Sequence, residues 1–180
     1  MEGKRLGQLR EMVPKAVLIA VLLNPAMGTF ESQSRDIQEA AGSVGLRLLS
    51  LRVSTETDID AAFAKASESR ADAVLVGTDS FMISKREQMV MAASRYAIPV
   101  MYPAREYALA GGLMSYGVSI ANAYKQVGNY AGRVLRGDKP ADLPIQLPTK
   151  FEFVINLNAA KSLGIEVPPG LSARADEVIE

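Results

Sequence analysis

The feature that most constrains the fold is the regular alternation of short strand-like segments with stretches of helical spacing. Strand-like segments lie at 16–23, 46–53, 73–76, 98–101 and 113–116, with helical stretches between them. Such alternation is typical of parallel sheets covered by helices. The first segment is apolar throughout, as expected of a strand that is buried on both faces. We therefore predict an α/β fold with an open parallel sheet flanked by helices.

The spacing of apolar residues predicts the helices between these strands. They are expected at 3–12, 30–44, 58–69 and 82–96, with a short helix within 102–110 and a long helix at 119–135. Hydroxyl side chains in 54–57 are suited to cap the helix at 58–69. Three prolines punctuate the segment that follows Gly137, and 151–155 alternates like a strand. Short helices are predicted at 159–163 and after Pro168-Pro169.

Composition excludes several kinds of chemistry. The chain has no Cys and no His, so disulfides, zinc–thiolate sites, thiol nucleophiles and imidazole bases are all ruled out. No glycine-rich phosphate-binding motif occurs, and we predict neither a cofactor nor a metal site. Twenty basic residues balance twenty acidic ones. A neutral chain lacks the positive field of a nucleic-acid-binding protein, so no nucleic-acid partner is expected.

Polar residues follow the predicted strands where ligands bind in an open parallel sheet, at the carboxyl ends of the strands. The candidate ligand-binding residues are Asn24, Thr78, Asp79, Ser80, Tyr102, Glu106, Ser115 and Tyr116. Each has a simpler alternative. Asn24 could belong to a plain turn, Asp79 or Ser80 could cap a helix, and the tyrosines could serve in packing.

Asp79 is the most informative acidic residue. A carboxylate at the end of a strand, with few basic neighbours in sequence, suits a cationic group such as an ammonium. The adjacent helix N-terminus, with Thr78 and Ser80, would instead favour a carboxylate. The two preferences together describe a zwitterion of amino-acid size better than a phosphate.

Several segments resemble one protein family. They are 21–25 (VLLNP), 54–63 (STETDIDAAF), 71–77 (ADAVLVG), 110–117 (AGGLMSYG), 137–144 (GDKPADLP), 148–157 and 173–179. The chain resembles the substrate-binding component of ABC importers, in the tryptophan/tyrosine transport-like group. The resemblance extends over essentially the whole sequence.

The resemblance implies a type I periplasmic binding protein, in which two α/β lobes close on a small solute. It implies that residues 1–117 form the second lobe. Residues 118–180 would then hold a helix, a crossover strand and short helices that belong to, or pack on, a first lobe that is missing here. The hinge is expected near 116–119 and 147–151.

The resemblance also implies partners and a location. The partners are a small solute and an ABC permease, and the location is the periplasm. No signal peptide is recognised before the apolar run at 17–23, so we expect a cytoplasmic product if the sequence is expressed as it stands. A homodimer is expected through the surface that the missing lobe would cover.

Two other functions stay open at this point. Related lobes sense ligands in regulators, and fused DNA-binding or signalling segments would favour that interpretation. A small α/β enzyme is the other alternative, and turnover of a ligand would support it. We predict a non-enzymatic solute-binding role.

Overall fold

The computed structural model describes all 180 residues and contains one seven-stranded sheet. The strands are β1 Leu18–Leu23, β2 Arg47–Arg52, β3 Ala73–Val76, β4 Val100–Tyr102, β5 Met114–Val118, β6 Phe151–Asn156 and β7 Glu177–Ile179. Their order across the sheet is β2-β1-β3-β4-β5-β6-β7. All pairs among β1–β5 are parallel, which confirms the predicted open parallel sheet.

Nine α-helices surround the sheet or extend from it. They are α1 Glu2–Met12, α2 Phe30–Ser43, α3 Glu56–Glu68, α4 Ser80–Ser84, α5 Arg86–Arg95, α6 Arg105–Leu109, α7 Ile120–Leu135, α8 Leu157–Ser162 and α9 Pro169–Ser172. None of them is long and apolar enough to span a bilayer.

The apolar sequence of β1 reflects a sheet that is covered on both faces. Side chains alternate across a strand, and Ile19, Val21 and Leu23 enter the core on one face of the sheet. Ala20 and Leu22 enter a second core on the opposite face. The five positions from Ile19 to Leu23 therefore all lie among apolar neighbours, because neither face of the sheet is open to water there.

The structure differs from the sequence prediction at two places. The helix predicted at 82–96 begins earlier and is divided into α4 and α5 at Lys85. The Ser84 hydroxyl donates to the carbonyl of Phe81 at 2.7 Å, a local bond that competes with regular helix geometry. The short helix predicted after Pro168-Pro169 is present as α9, but strand β7 beside β6 was not predicted.

The sheet continues into the C-terminal part of the chain, beyond residue 117. Strand β6 pairs antiparallel with β5, from Met114–Ile155 to Val118–Phe151. Because β5 would otherwise expose a row of unpaired backbone groups, β6 supplies the partners that the strand needs. Only α7 and the segment 137–150 stand away from the sheet, and no residue of α7 is buried.

Three passages of the chain meet at the edge where β1–β5 end, which we call the carboxyl edge. Helix α1 begins there, since the Arg5 side chain contacts the carbonyl of Val76 at the end of β3. The chain leaves β5 at Ser119 and returns at Lys150, and the Ser119 amide donates to the Lys150 carbonyl at 3.0 Å. The carboxyl edge is thus where the sheet connects to the parts of the chain outside it.

Candidate functional site

Asn24 and Asp79 are held together at the carboxyl edge. Asn24 follows β1, Asp79 follows β3, and β1 and β3 are neighbours. The Asn24 Nδ2 group donates to Asp79 Oδ2 at 3.0 Å, and both residues are buried. The parallel sheet therefore brings two predicted site residues, 55 positions apart in sequence, into direct contact.

Asp79 also caps α4. Its Oδ1 accepts from the Met82 amide at 2.7 Å, and its backbone is extended, as is usual for an N-cap residue. The side chain of Asn24 is engaged as well, because its Oδ1 accepts from the Ala26 amide. Both oxygens of Asp79 thus have protein partners and the residue is 3% exposed. This geometry supports the capping role that the sequence left open.

Thr78 is clamped by Gln33 from α2. The Thr78 amide donates to Gln33 Oε1 at 2.8 Å, and Gln33 Nε2 donates to the Thr78 carbonyl at 3.1 Å. This paired contact uses both backbone groups of Thr78. Its side chain stays exposed, as does that of Ser80. The loop between β3 and α4 is therefore fixed in shape while two hydroxyl-bearing residues face solvent.

A buried ion pair supports the same loop from beneath. Arg5 and Glu2 of α1 are paired, and the Arg5 side chain is fully buried. Arg5 Nη1 donates to the Val76 carbonyl and Nη2 donates to Thr78 Oγ1, each at 3.0 Å. Burial raises the pKa of Glu2 and lowers the pKa of Arg5, while the charge of each partner opposes these shifts.

Sequence reasoning missed Arg5 and Glu2. A signal was present, because Arg5 lies beside Leu6 and one helical turn before Leu9, on the face of α1 that packs on the sheet. A charged residue in an apolar helix face needs a buried partner. Glu2 lies at the i, i+3 spacing of such a partner, but the contact with Thr78 cannot be read from spacing, since Thr78 lies 73 positions away.

Tyr102 and Ser115, two of the predicted ligand-binding residues, lie in the core of this structure. Both are entirely buried, and their hydroxyls have no hydrogen-bond partner. The Tyr102 ring stacks on that of Tyr107 with centroids 4.5 Å apart. Gly112 leaves room for it, since a Cβ there would lie 2.6 Å from the Tyr102 ring. The packing alternative explains these side chains.

Tyr116 lies on the other face of the sheet from Tyr102, so the two rings do not form a common wall. Its ring stacks on Phe151, and its hydroxyl accepts from Lys4 Nζ at 2.9 Å. A groove of about 590 Å³ beside α1 is lined by Lys4 and Tyr116, among others. Glu106, on α6, is half-buried. One of its carboxylate oxygens has no hydrogen-bond partner.

A second polar cluster lies where the chain leaves and re-joins the sheet. The Ser119 hydroxyl donates to Glu152 Oε1 at 2.9 Å, and Ser119 also caps α7. Arg105 of α6 lies 3.6 Å from Glu152 and 2.7 Å from Glu177 of β7. The cluster joins β5, β6, β7 and α6 beside the two crossings, and sequence reasoning did not identify it.

The sequence also matches a known family over nearly its whole length. Residues 3–179 match the family model described as ABC transporter substrate binding protein. The chain belongs to this family. The resemblance seen in the sequence is therefore confirmed, and the sheet of β1–β5 with its flanking helices is the expected lobe of a type I periplasmic binding protein.

Solved structures show the same fold as this substrate-binding family member. A conserved domain protein of Vibrio cholerae is 26% identical, with a TM-score of 0.88, over 98% of this chain and 60% of that one. An ABC domain of Streptococcus pneumoniae in complex with L-Trp is 24% identical, with a TM-score of 0.87, over 99% and 62%. A ligand-free, open substrate binding protein with adhesive properties from Clostridium difficile is 21% identical, with a TM-score of 0.69, over 98% and 59%.

The chain spans about 60% of the length of these solved proteins. The two likenesses below 25% identity show the shared fold and not a shared ligand. A search among curated proteins found no significant match.

Proposed function

We propose that this substrate-binding family member contributes one lobe of a receptor that binds a small organic solute for an ABC importer, without covalent chemistry. The observation that carries the proposal is the β3–α4 loop, held by Asn24, Gln33 and Arg5 while Thr78 and Ser80 stay exposed. Precise recognition requires a loop that is held rigid by supporting contacts and that leaves polar groups free for the ligand. Its place at the carboxyl edge is that of ligand sites in open α/β sheets.

The proposed ligand is an amino acid or a similar organic solute. Thr78 and Ser80 would contact it directly, and Asn24 and Asp79 would shape the floor of the site. Asp79 can still accept from a ligand ammonium, because a carboxylate oxygen has two lone pairs. L-Trp, the ligand in the structure of the Streptococcus pneumoniae domain, is one member of this class. Tyr116 and Glu106 would contact the solute only at the boundary between the two lobes.

The remaining parts of the chain are proposed to serve a two-lobed receptor. Helix α7 and residues 137–150 would pack on a first lobe, which accounts for an α7 with no buried residue. The crossings at 116–119 and 147–151 would form the hinge, since Val118 pairs with Phe151 and the Ser119 amide donates to the Lys150 carbonyl. The relatives' greater length supports a second lobe. We further propose delivery to a permease, with the complete receptor in the periplasm.

Isothermal calorimetry tests this function. A cleft ligand is enclosed by both lobes, so one lobe alone leaves its contacts exposed to water. Losing about 4 kcal/mol of opposing contacts weakens binding roughly a thousandfold. We expect this chain to bind its amino acid near the millimolar range, and a version extended by a first lobe to bind near the micromolar range.

The comparison uses the twenty standard amino acids with both proteins. Turnover of any of them would favour the enzyme alternative. Comparable affinities for the two proteins would contradict the proposed need for a second lobe, and no binding to either would contradict the ligand class.

A further inference from the structure

The buried Arg5 determines the hydrogen-bonding role of the Thr78 hydroxyl. An arginine side chain has only donors, so in the contact between Arg5 Nη2 and Thr78 Oγ1, at 3.0 Å, the hydroxyl oxygen must accept. A hydroxyl has one hydrogen to donate, and no other side-chain contact engages that of Thr78. Its proton is therefore free to point towards the open carboxyl edge.

The backbone groups of Thr78 itself are already engaged. The amide and carbonyl of Thr78 are paired with Gln33, so neither is available to a ligand. The amide of Met82 is taken by Asp79. The hydroxyl proton is thus the polar group that Thr78 offers to a solute.

Arg5 is well fixed for this purpose. Its side chain is fully buried, and its second terminal nitrogen donates to the Val76 carbonyl at 3.0 Å, at the end of β3. The pairing with Glu2 holds the guanidinium in place on α1. Rotation of the guanidinium would break these contacts together, so the hydroxyl of Thr78 meets a donor that does not move.

We infer that Arg5 is a positioning residue that makes Thr78 a hydrogen-bond donor, so the solute atom that meets Thr78 is an acceptor such as a carboxylate oxygen. This inference rests on the proposed function, since it assumes that a solute contacts the β3–α4 loop. It assigns the acceptor end of the solute to this lobe. An amine without a carboxyl group should accordingly bind less well.

The test is an NMR titration of this chain, observing the Thr78 amide and γ-methyl signals. The probes are three amino acids and the amines that lack their carboxyl group: L-tryptophan and tryptamine, L-phenylalanine and phenethylamine, L-leucine and isoamylamine. We expect saturable shifts with at least one amino acid. Its amine should bind at least about tenfold more weakly, the loss typical of one charge-assisted hydrogen bond.

Variants separate positioning from simple structural support. Thr78→Val should reduce the amino acid preference to about threefold or less, whereas Thr78→Ser should keep it, because serine retains the hydroxyl. Thr57→Val is the matched control, since the Thr57 hydroxyl contacts only that of Thr55. Replacing the ion pair with apolar residues, Glu2→Leu with Arg5→Met, preserves packing and should also lower the preference.

The outcomes distinguish this inference from the proposed function. If the amine binds as tightly as its amino acid, or if Thr78→Val keeps the preference, the donor role is wrong although the lobe still binds solutes. If none of the six probes shifts signals at the carboxyl edge, the proposed site is wrong and the inference fails with it. A preference unchanged in the Glu2→Leu, Arg5→Met variant would overturn the role of Arg5 alone.

Discussion

Asn24 and Asp79 are bonded side chain to side chain at 3.0 Å across the ends of two neighbouring strands, and Asp79 simultaneously caps α4. One carboxylate thereby connects the loop after β1, the loop after β3 and the start of a helix. The arrangement makes the candidate site a structural element as well as a recognition surface, and it can be tested by substitution.

Asp79→Ala should lower the free energy of unfolding by about 2 kcal/mol. The change removes an N-cap and leaves the buried Asn24 amide without its acceptor, and each loss costs about 1 kcal/mol. Urea unfolding at pH 7 measures the difference. Asp142→Ala, at an exposed residue of the segment 137–150, is the control and should change little. Equal stabilities of the two variants would contradict the structural role of Asp79.

Gly117→Ala should be strongly destabilising. A Cβ at Gly117 would lie 1.7 Å from the Pro103 carbonyl oxygen, so β5 and the chain after β4 would have to separate. We expect a loss of about 3 kcal/mol, at the upper end for overpacking. Gly132→Ala is the matched control: nothing lies within 4 Å of the added methyl group, and alanine favours the helix. A thermal scan in which both variants melt alike would refute this reading of the contact.

The capping box of α3 should make stability depend on pH. The Ser54 amide donates to Asp58 Oδ2 at 2.9 Å, and the Thr55 amide and the Ser54 hydroxyl donate to the same oxygen. These hydrogen bonds lower the pKa of Asp58. A lowered pKa in the folded state adds stability above the unfolded pKa, and this stability is lost as pH falls through the folded value. Asp58→Asn should therefore destabilise at pH 7, and its deficit should shrink below about pH 4.

Urea titrations of Asp58→Asn and the wild type at several pH values check this expectation. The conservative change Asp142→Asn provides the comparison, because Asp142 has no hydrogen bond of this kind. A deficit that stayed constant from neutral to acid pH would show that the carboxylate charge is not what Asp58 contributes.

The chain should associate with itself through α7. The apolar residues of this helix that lie near helical spacing, Ala121, Tyr124, Val127, Ala131 and Leu135, are all exposed. An uncovered apolar stripe favours association, and we expect a dimer, with exchanged C-terminal elements as one way to form it. Light scattering should give a dimer mass that Tyr124→Lys with Leu135→Lys reduces towards the monomer.

Met91→Lys is the control for this substitution pair, since Met91 is an exposed apolar residue on α5, outside the stripe. A monomer at high concentration of the unmodified chain would rule out the predicted association.

Much of the fold could be predicted, because burial of a helix or strand produces a periodic pattern of apolar residues in the local sequence. The strand predicted at 73–76 is present, since four consecutive apolar residues there face two cores. The capping function of Asp79 was also visible, because it depends on an amide only three positions away. The family was recognisable from short segments, each a local pattern.

The site was predicted less completely, because its supporting contacts cross long distances in sequence. Asn24 and Asp79 were both identified, but the bond that occupies them depends on β1 and β3 being neighbours. The side of the sheet on which each tyrosine lies was not visible either. Tyr102 and Tyr116 differ in which core they enter, a consequence of strand register and of the helices above each face.

The sequence by itself determined the strand and helix segments and the parallel α/β class. It also excluded imidazole and thiol chemistry, because the chain has no His and no Cys. Only the tertiary structure decided that β6 and β7 complete the sheet and that Arg5 lies beneath Thr78. The physical reason is that helical and strand periodicity reports whether a residue is buried, whereas the identity of its partner depends on how distant elements pack.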